Sequence, residues 1–196
     1  MIKIGILGGI GSGKSFAAKL FGYPVFDADK EVSKIYKKNR NCFKKLKKKL
    51  PRFVISFPIK KEELKNAVLV SKNNLKIIEN IIHPEVQKSL KKFIKLNKNK
   101  KILVFDIPLL IENKLYKNNY ILVYIDAKKK DINRKLKNRK NYNKKVIKEL
   151  TKAQLSLEFK RKKSHYIIKN NFKKKFLKKN VKVLLKKILR NERNST

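Results

Sequence analysis

All six glycines of this 196-residue chain fall within its first 22 positions, and four of them lie in the run Gly8-Gly9-Ile10-Gly11-Ser12-Gly13-Lys14-Ser15. The run reads G-x-x-x-x-G-K-S, the pattern of a phosphate-binding loop. It constrains the fold because it requires a strand before it and a helix after it. Residues 2–7 form an apolar run suited to a buried parallel strand, and residues 14–21 carry a helical pattern. Backbone N–H groups can hold a polyphosphate only where the chain wraps it closely, and side chains would obstruct that approach. Gly8 and Gly13 permit the tight turn, and Gly9 and Gly11 are expected at positive φ. Lys14 is then a point charge for the β and γ phosphates of a nucleotide, and the Ser15 hydroxyl is a ligand for Mg²⁺. The competing reading is a glycine-rich turn that binds nothing.

The rest of the chain alternates strands and helices. Strands are predicted at 23–26, 102–105, 120–125 and 166–168, and helices at 128–138, 145–162 and 172–189. From Lys30 to about Leu96 the pattern is mostly helical, punctuated by Pro51, Pro58 and Pro84. This is an α/β chain with a parallel sheet, whose ligands are expected at the carboxyl ends of the strands. Its length suits a single domain.

Composition points elsewhere at first. A formal charge of +41 and a pI near 10.4 resemble those of a nucleic-acid-binding protein. Yet only seven of the 55 basic residues are arginines, and the lysines are spread over nearly the whole chain. Specific phosphate and base readout favours arginine, so the charge reads as compositional bias, with no specific nucleic-acid partner expected. No signal or membrane-spanning segment is evident, and the single Cys42 has no internal partner, which together favour a reducing, cytoplasmic setting. Oligomeric state is not legible.

Four of the five aspartates, Asp27, Asp29, Asp106 and Asp126, follow predicted strands directly. Each could cap the next helix. For Asp126 that capping reading is preferred, because a lysine-rich helix follows at once. Asp106 precedes Ile107-Pro108 instead, and is read as a carboxylate organising Mg²⁺, through water.

The phosphate loop, then Val25-Phe26-Asp27-Ala28-Asp29, Ile82-His83-Pro84 and Asp106-Ile107-Pro108-Leu109-Leu110-Ile111-Glu112, with Gln154 and Asn170, resembles dephospho-CoA kinase over residues 1–171. The resemblance implies a three-layer αβα fold of the P-loop NTPase type: one kinase domain with a core at about 1–30, 100–128 and 165–196. It further implies a helical acceptor-binding region at about 31–99 and a lid at about 129–164. It implies transfer of the γ-phosphoryl group of ATP to the ribose 3'-hydroxyl of dephospho-coenzyme A. Under it, Gly9, Gly11, Ser12, Gly13, Lys14, Ser15 and the Phe16 amide bind ATP, and Ser15 and Asp106 hold Mg²⁺. Asp29 takes the proton of the acceptor hydroxyl, with helix capping as its alternative role. Lys61, His83, Pro108 and Leu109 contact the acceptor, and Arg139 is the lid arginine that acts with Lys14 and Asp29 in catalysis. His83-Pro84 could equally be a packing element at a helix start.

Several positions depart from the family pattern. Phe16 replaces a threonine, Ser33 and Lys61 stand at arginine positions, and Lys135 aligns with an earlier lid arginine. Ser164-His165 replaces Ala-Asp, and Phe172 replaces a glycine after Asn170-Asn171, in the adenine-side loop. The rival readings are another P-loop kinase of nucleosides, nucleotides or small metabolites, and a basic nucleic-acid-binding NTPase. The chain lacks an N-K-x-D guanine-specifying run and an arginine-rich patch, which argues against the latter.

Overall fold

A computed structural model of the chain describes residues 1–108, 110, 119–138, 142–152 and 154–193. In chain order the elements are β1 (Ile2–Leu7), α1 (Lys14–Leu20), β2 (Val25–Asp27), α2 (Ala28–Lys38), α3 (Arg40–Lys49), α4 (Lys61–Val70) and α5 (Lys72–Leu96). There follow β3 (Ile102–Asp106), β4 (Tyr120–Asp126), α6 (Lys129–Lys137), α7 (Lys144–Lys152), α8 (Leu157–Lys162), β5 (Tyr166–Lys169) and α9 (Lys174–Arg193). The chain forms two compact units, Met1–Phe26 with Asn97–Thr196, and Asp27–Leu96.

The five strands form one sheet in the order β2-β3-β1-β4-β5. β1 is central and parallel to both neighbours, with Ile2 opposite Ile102 and Lys3 opposite Tyr120. Period-two alternation along β1 sends Ile2, Ile4 and Ile6 to one face. There they pack with Ile102, Val104, Val123, Ile125 and Ile168 against Ala17, Ala18 and Phe21, and against Leu177, Val181, Leu184 and Ile188 of α9. The α9 residues recur at helical spacing, so the lysines between them face solvent. On the other face Leu103, Phe105, Leu122 and Tyr124 are also buried, as expected of parallel strands covered on both sides.

The Asp27–Leu96 unit has its own core of Ile35, Cys42, Leu46, Leu50, Val54, Ile59, Leu64, Ala67, Ile78 and Ile82. Its organising element is α5, which packs against α2, α3 and α4. Pro84 was expected to punctuate the chain, with His83 at a helix start, but α5 runs straight through both. The stripe of Ile78, Ile82 and Val86 packs on either side of the proline, and that burial offsets the missing N–H.

Two further expectations are corrected. The helix at 145–162 is two helices, α7 and α8, because Ser156 starts a new one by accepting a 3.1 Å hydrogen bond at Oγ from the Phe159 N–H. The closing helix begins at Lys174, since Phe172 takes a φ of 63°. Among the described residues no helix is long and apolar enough to cross a membrane.

Candidate active site

The phosphate loop leaves the carboxyl end of the central strand and passes directly into α1. Gly13 is the N-cap of α1 with φ 92°, and no side chain caps the helix. No capping side chain therefore competes for the first-turn amides, and no acidic residue lies in that turn. Gly8 and Gly11 are also at positive φ, but Gly9 is not, contrary to expectation. At position 9 a Cβ would come 3.3 Å from Leu157 Cδ2, the tip of an exposed side chain that has only to move slightly.

Lys14 Nζ donates to the carbonyls of Gly8 and Gly9, at 3.1 and 2.8 Å. The ammonium therefore lies over the loop's own backbone, where a phosphate would meet it. Ser12 Oγ is buried, and among the described residues nothing hydrogen-bonds it. Ser15 and Phe16 in the first turn of α1 are exposed. An uncapped helix start, an adjacent lysine and an unpartnered hydroxyl suit a polyphosphate.

Neighbouring elements brace the loop. Asn170, 5% exposed, donates from Nδ2 to the Ser12 carbonyl at 2.8 Å and accepts at Oδ1 from the Phe172 N–H at 2.8 Å. A Cβ on Gly13 would stand 2.5 Å from Asn170 Nδ2, and one on Gly11 would stand 2.9 Å from Leu136. Asn170 was legible as part of a resemblance, but not as a brace. A polar residue directly after the last strand of such a sheet is the signal that could have marked it. Gln154 likewise has a partner: it accepts 2.9 Å from Nζ of Lys160, a lysine only 1% exposed.

Asp106 ends β3, one strand from the loop, and is buried. Among the described residues no three His, Cys, Asp or Glu side chains converge on a metal position. The side chains expected from the sequence to hold Mg²⁺ are the Ser15 hydroxyl and the Asp106 carboxylate, with phosphate oxygens to complete the shell. All are hard oxygens, which suits Mg²⁺. Asp126 does not cap α6, whose N-cap is Lys128; its carboxylate stands 3.7 Å from Arg161 Nη1 instead.

In the Asp27–Leu96 unit, the cap of α2 is Asp27, which accepts a 3.0 Å hydrogen bond from the Lys30 N–H. The alternative capping role of Asp29 is thereby excluded, and Asp29 is an exposed residue of the first turn. Two turns on, burial first, then the Cys42 thiol and the Asp29 carboxylate, push the Tyr36 hydroxyl up to about 12. Lys61 is exposed at the start of α4, and His83 is half-buried within α5. Pro108 is half-buried in the turn after β3. Leu109 and Arg139 lie outside the described residues.

Residues 2–175 match the family model described as dephospho-CoA kinase. The chain is 34% identical over 179 residues to the dephospho-CoA kinase of Wolbachia pipientis wMel, covering 89% of this chain and 91% of the relative. It is 31% identical over 193 residues to that of Bartonella henselae, covering 96% and 98%. A solved structure of a Thermus thermophilus protein matches with a TM-score of 0.76 at 28% identity, over 95% of this chain and 97% of that one. Dephospho-CoA kinase from Campylobacter jejuni matches with a TM-score of 0.62 at 25% identity, over 95% and 96%. A shikimate kinase from Bacteroides thetaiotaomicron, at 12% identity and a TM-score of 0.52, shares the fold, which is the three-layer αβα arrangement of P-loop kinases. With a phosphate loop on its central strand and matches running nearly end to end, this chain belongs to the dephospho-CoA kinase family.

Proposed function

We propose that this chain transfers the γ-phosphoryl group of ATP to the ribose 3'-hydroxyl of dephospho-coenzyme A, giving coenzyme A and ADP. The observation that carries this reading is the family match over residues 2–175, and the uncapped start of α1 supports it chemically. Phosphoryl transfer needs little covalent help; it needs the donor held, its charge neutralised and the acceptor hydroxyl aligned.

In this reading the amides of Gly9, Gly11, Ser12, Gly13, Lys14, Ser15 and Phe16 hold the phosphates. The Lys14 ammonium exchanges the Gly8 and Gly9 carbonyls for phosphate oxygens. Ser15 and Asp106 would hold Mg²⁺, which when bound neutralises charge on the β and γ oxygens. Asp29 accepts the proton of the 3'-hydroxyl as the new P–O bond forms and the bond to the β-phosphate oxygen breaks. An ordinary carboxylate is a weak base, so that proton moves late, once the bond to phosphorus has acidified it. The exposure of Asp29 and its release from capping support this role. Lys61, His83, Pro108 and Leu109 contact the acceptor, the Asp27–Leu96 unit serving as the acceptor-binding region, and Arg139 supplies lid charge. A reducing, cytoplasmic setting is supported by Cys42, a free thiol 3% exposed within a core.

The test is ADP release by purified protein with Mg²⁺ and ATP, in the presence of dephospho-coenzyme A, a nucleoside panel or no acceptor. Stimulation by dephospho-coenzyme A above the panel is expected, and its lack overturns the proposal. Lys14→Ala should abolish turnover while the protein still melts cooperatively.

A further inference from the structure

Asp29, Ser33 and Tyr36 fall on one face of α2, since seven residues return a helix to within about 20° of its starting direction. Asp29 and Tyr36 are roughly 10 Å apart along the axis. Helical side chains lean toward the N-terminus, and Ser33 between the two is small. The long phenol of Tyr36 therefore comes within electrostatic reach of the Asp29 carboxylate. Tyr36 is also held firmly: its carbonyl accepts from the Ile59 N–H at 3.0 Å, and its ring packs on the core of the Asp27–Leu96 unit.

A tyrosine that is largely buried normally finds a partner for its O–H. Among the described residues no hydrogen bond reaches the Tyr36 hydroxyl. Burial first, then the Cys42 thiol and the Asp29 carboxylate, keep it protonated up to about 12, so near neutral pH it is a hydrogen-bond donor rather than a base. A donor beside a carboxylate selects what can lie between them. A phosphate there would meet the Asp29 charge at close range, whereas a neutral diol can pair with both groups. The ribose of dephospho-coenzyme A carries such a diol, and only one of its two adjacent hydroxyls is to be phosphorylated.

We propose that Tyr36 is a specificity-determining residue of the acceptor site: its hydroxyl donates to the ribose 2'-oxygen, which leaves the 3'-hydroxyl to Asp29. This rests on the reading that Asp29 takes the 3'-hydroxyl proton of dephospho-coenzyme A.

The experiment compares dephospho-coenzyme A with its 2'-deoxy analogue as acceptors for wild type and for Tyr36→Phe, which keeps the ring and removes only the hydroxyl. With dephospho-coenzyme A the variant should lose about three- to tenfold in kcat/KM, through the KM for the acceptor, while the KM for ATP stays within about twofold of wild type. Wild type should lose a similar factor on the 2'-deoxy analogue, and the variant should no longer tell the two acceptors apart. Tyr36→Phe should also melt no lower than wild type, because the hydroxyl it removes has no partner among the described residues. An unchanged kcat/KM, or an equal loss on both acceptors, overturns the proposal. So does a variant that melts lower and weakens ATP and acceptor alike, which is the mark of a packing role. If wild type phosphorylates neither acceptor, the function proposed above fails, and this inference with it.

Discussion

The Asn170 side-chain amide donates a 2.8 Å hydrogen bond to the Ser12 carbonyl, tying the end of β5 to the phosphate loop across 158 positions of sequence. Asn170→Ala would leave the Ser12 carbonyl buried without this donor, and would release the Phe172 N–H as well. The expected loss is about 1–3 kcal/mol of unfolding free energy, measured by denaturant titration. The KM for ATP should rise more than the KM for the acceptor. Asn170→Asp should be worse on both counts, because it sets a carboxylate against a carbonyl and beside bound phosphate.

Asp27 and Asp29 stand two positions apart and should separate cleanly. Asp27→Ala removes the cap of α2 and is expected to cost about 1 kcal/mol of stability with kcat little changed. Asp29→Asn should leave stability within about 0.5 kcal/mol, while kcat falls about 10²- to 10⁴-fold. Equal losses of kcat in the two variants would exclude Asp29 as the proton acceptor.

His165 is a structural acceptor. The Leu122 N–H donates to its Nδ1 at 2.9 Å, and the His165 N–H donates to the Leu122 carbonyl at 2.9 Å, which fastens β4 to the start of β5. His165→Phe should lose about 1–2 kcal/mol by stranding a backbone donor. His165→Asp keeps an acceptor at that place and should recover part of the loss, as thermal melting of the two variants side by side would show.

Tyr120 packs edge-on against Phe105, with ring centroids 5.0 Å apart, and burial pushes its hydroxyl up to about 12 from 10.0. Below pH 10 the phenol is protonated in both the folded and unfolded states. Between pH 10 and 12 the unfolded chain loses this proton and the folded one keeps it, so stability falls as pH rises, by up to about 2–3 kcal/mol. Tyr120→Phe should lack this component. Because the many lysines titrate in both proteins, the difference between their stability curves isolates it.

The strands were readable because buried parallel strands are unbroken apolar runs, and residues 102–106 and 120–126 have that pattern. The phosphate loop was readable because glycine, lysine and serine are required at fixed spacing. Sheet order was not, since nothing local tells β1 that it lies between β3 and β4. The cap of α2 depended on where the helix begins, and one turn of ambiguity is enough to exchange Asp27 for Asp29. Pro84 misled because a proline rule is local, whereas the burial that carries α5 through it is tertiary. The brace from Asn170 was hidden for the same reason: its partner is 158 positions away.

The central position of β1 also bears on how the molecule comes together. Ile2 pairs with Ile102 and Lys3 with Tyr120, so the strand that leads into the phosphate loop leaves the ribosome long before either neighbour exists. Until then a run of isoleucines has no edge to join and must be kept from joining another chain. Closing such long loops slows pairing. The Asp27–Leu96 unit, with a core cluster built from its own residues, has no such wait. A nascent chain is therefore expected to order this helical unit first and acquire its catalytic loop last.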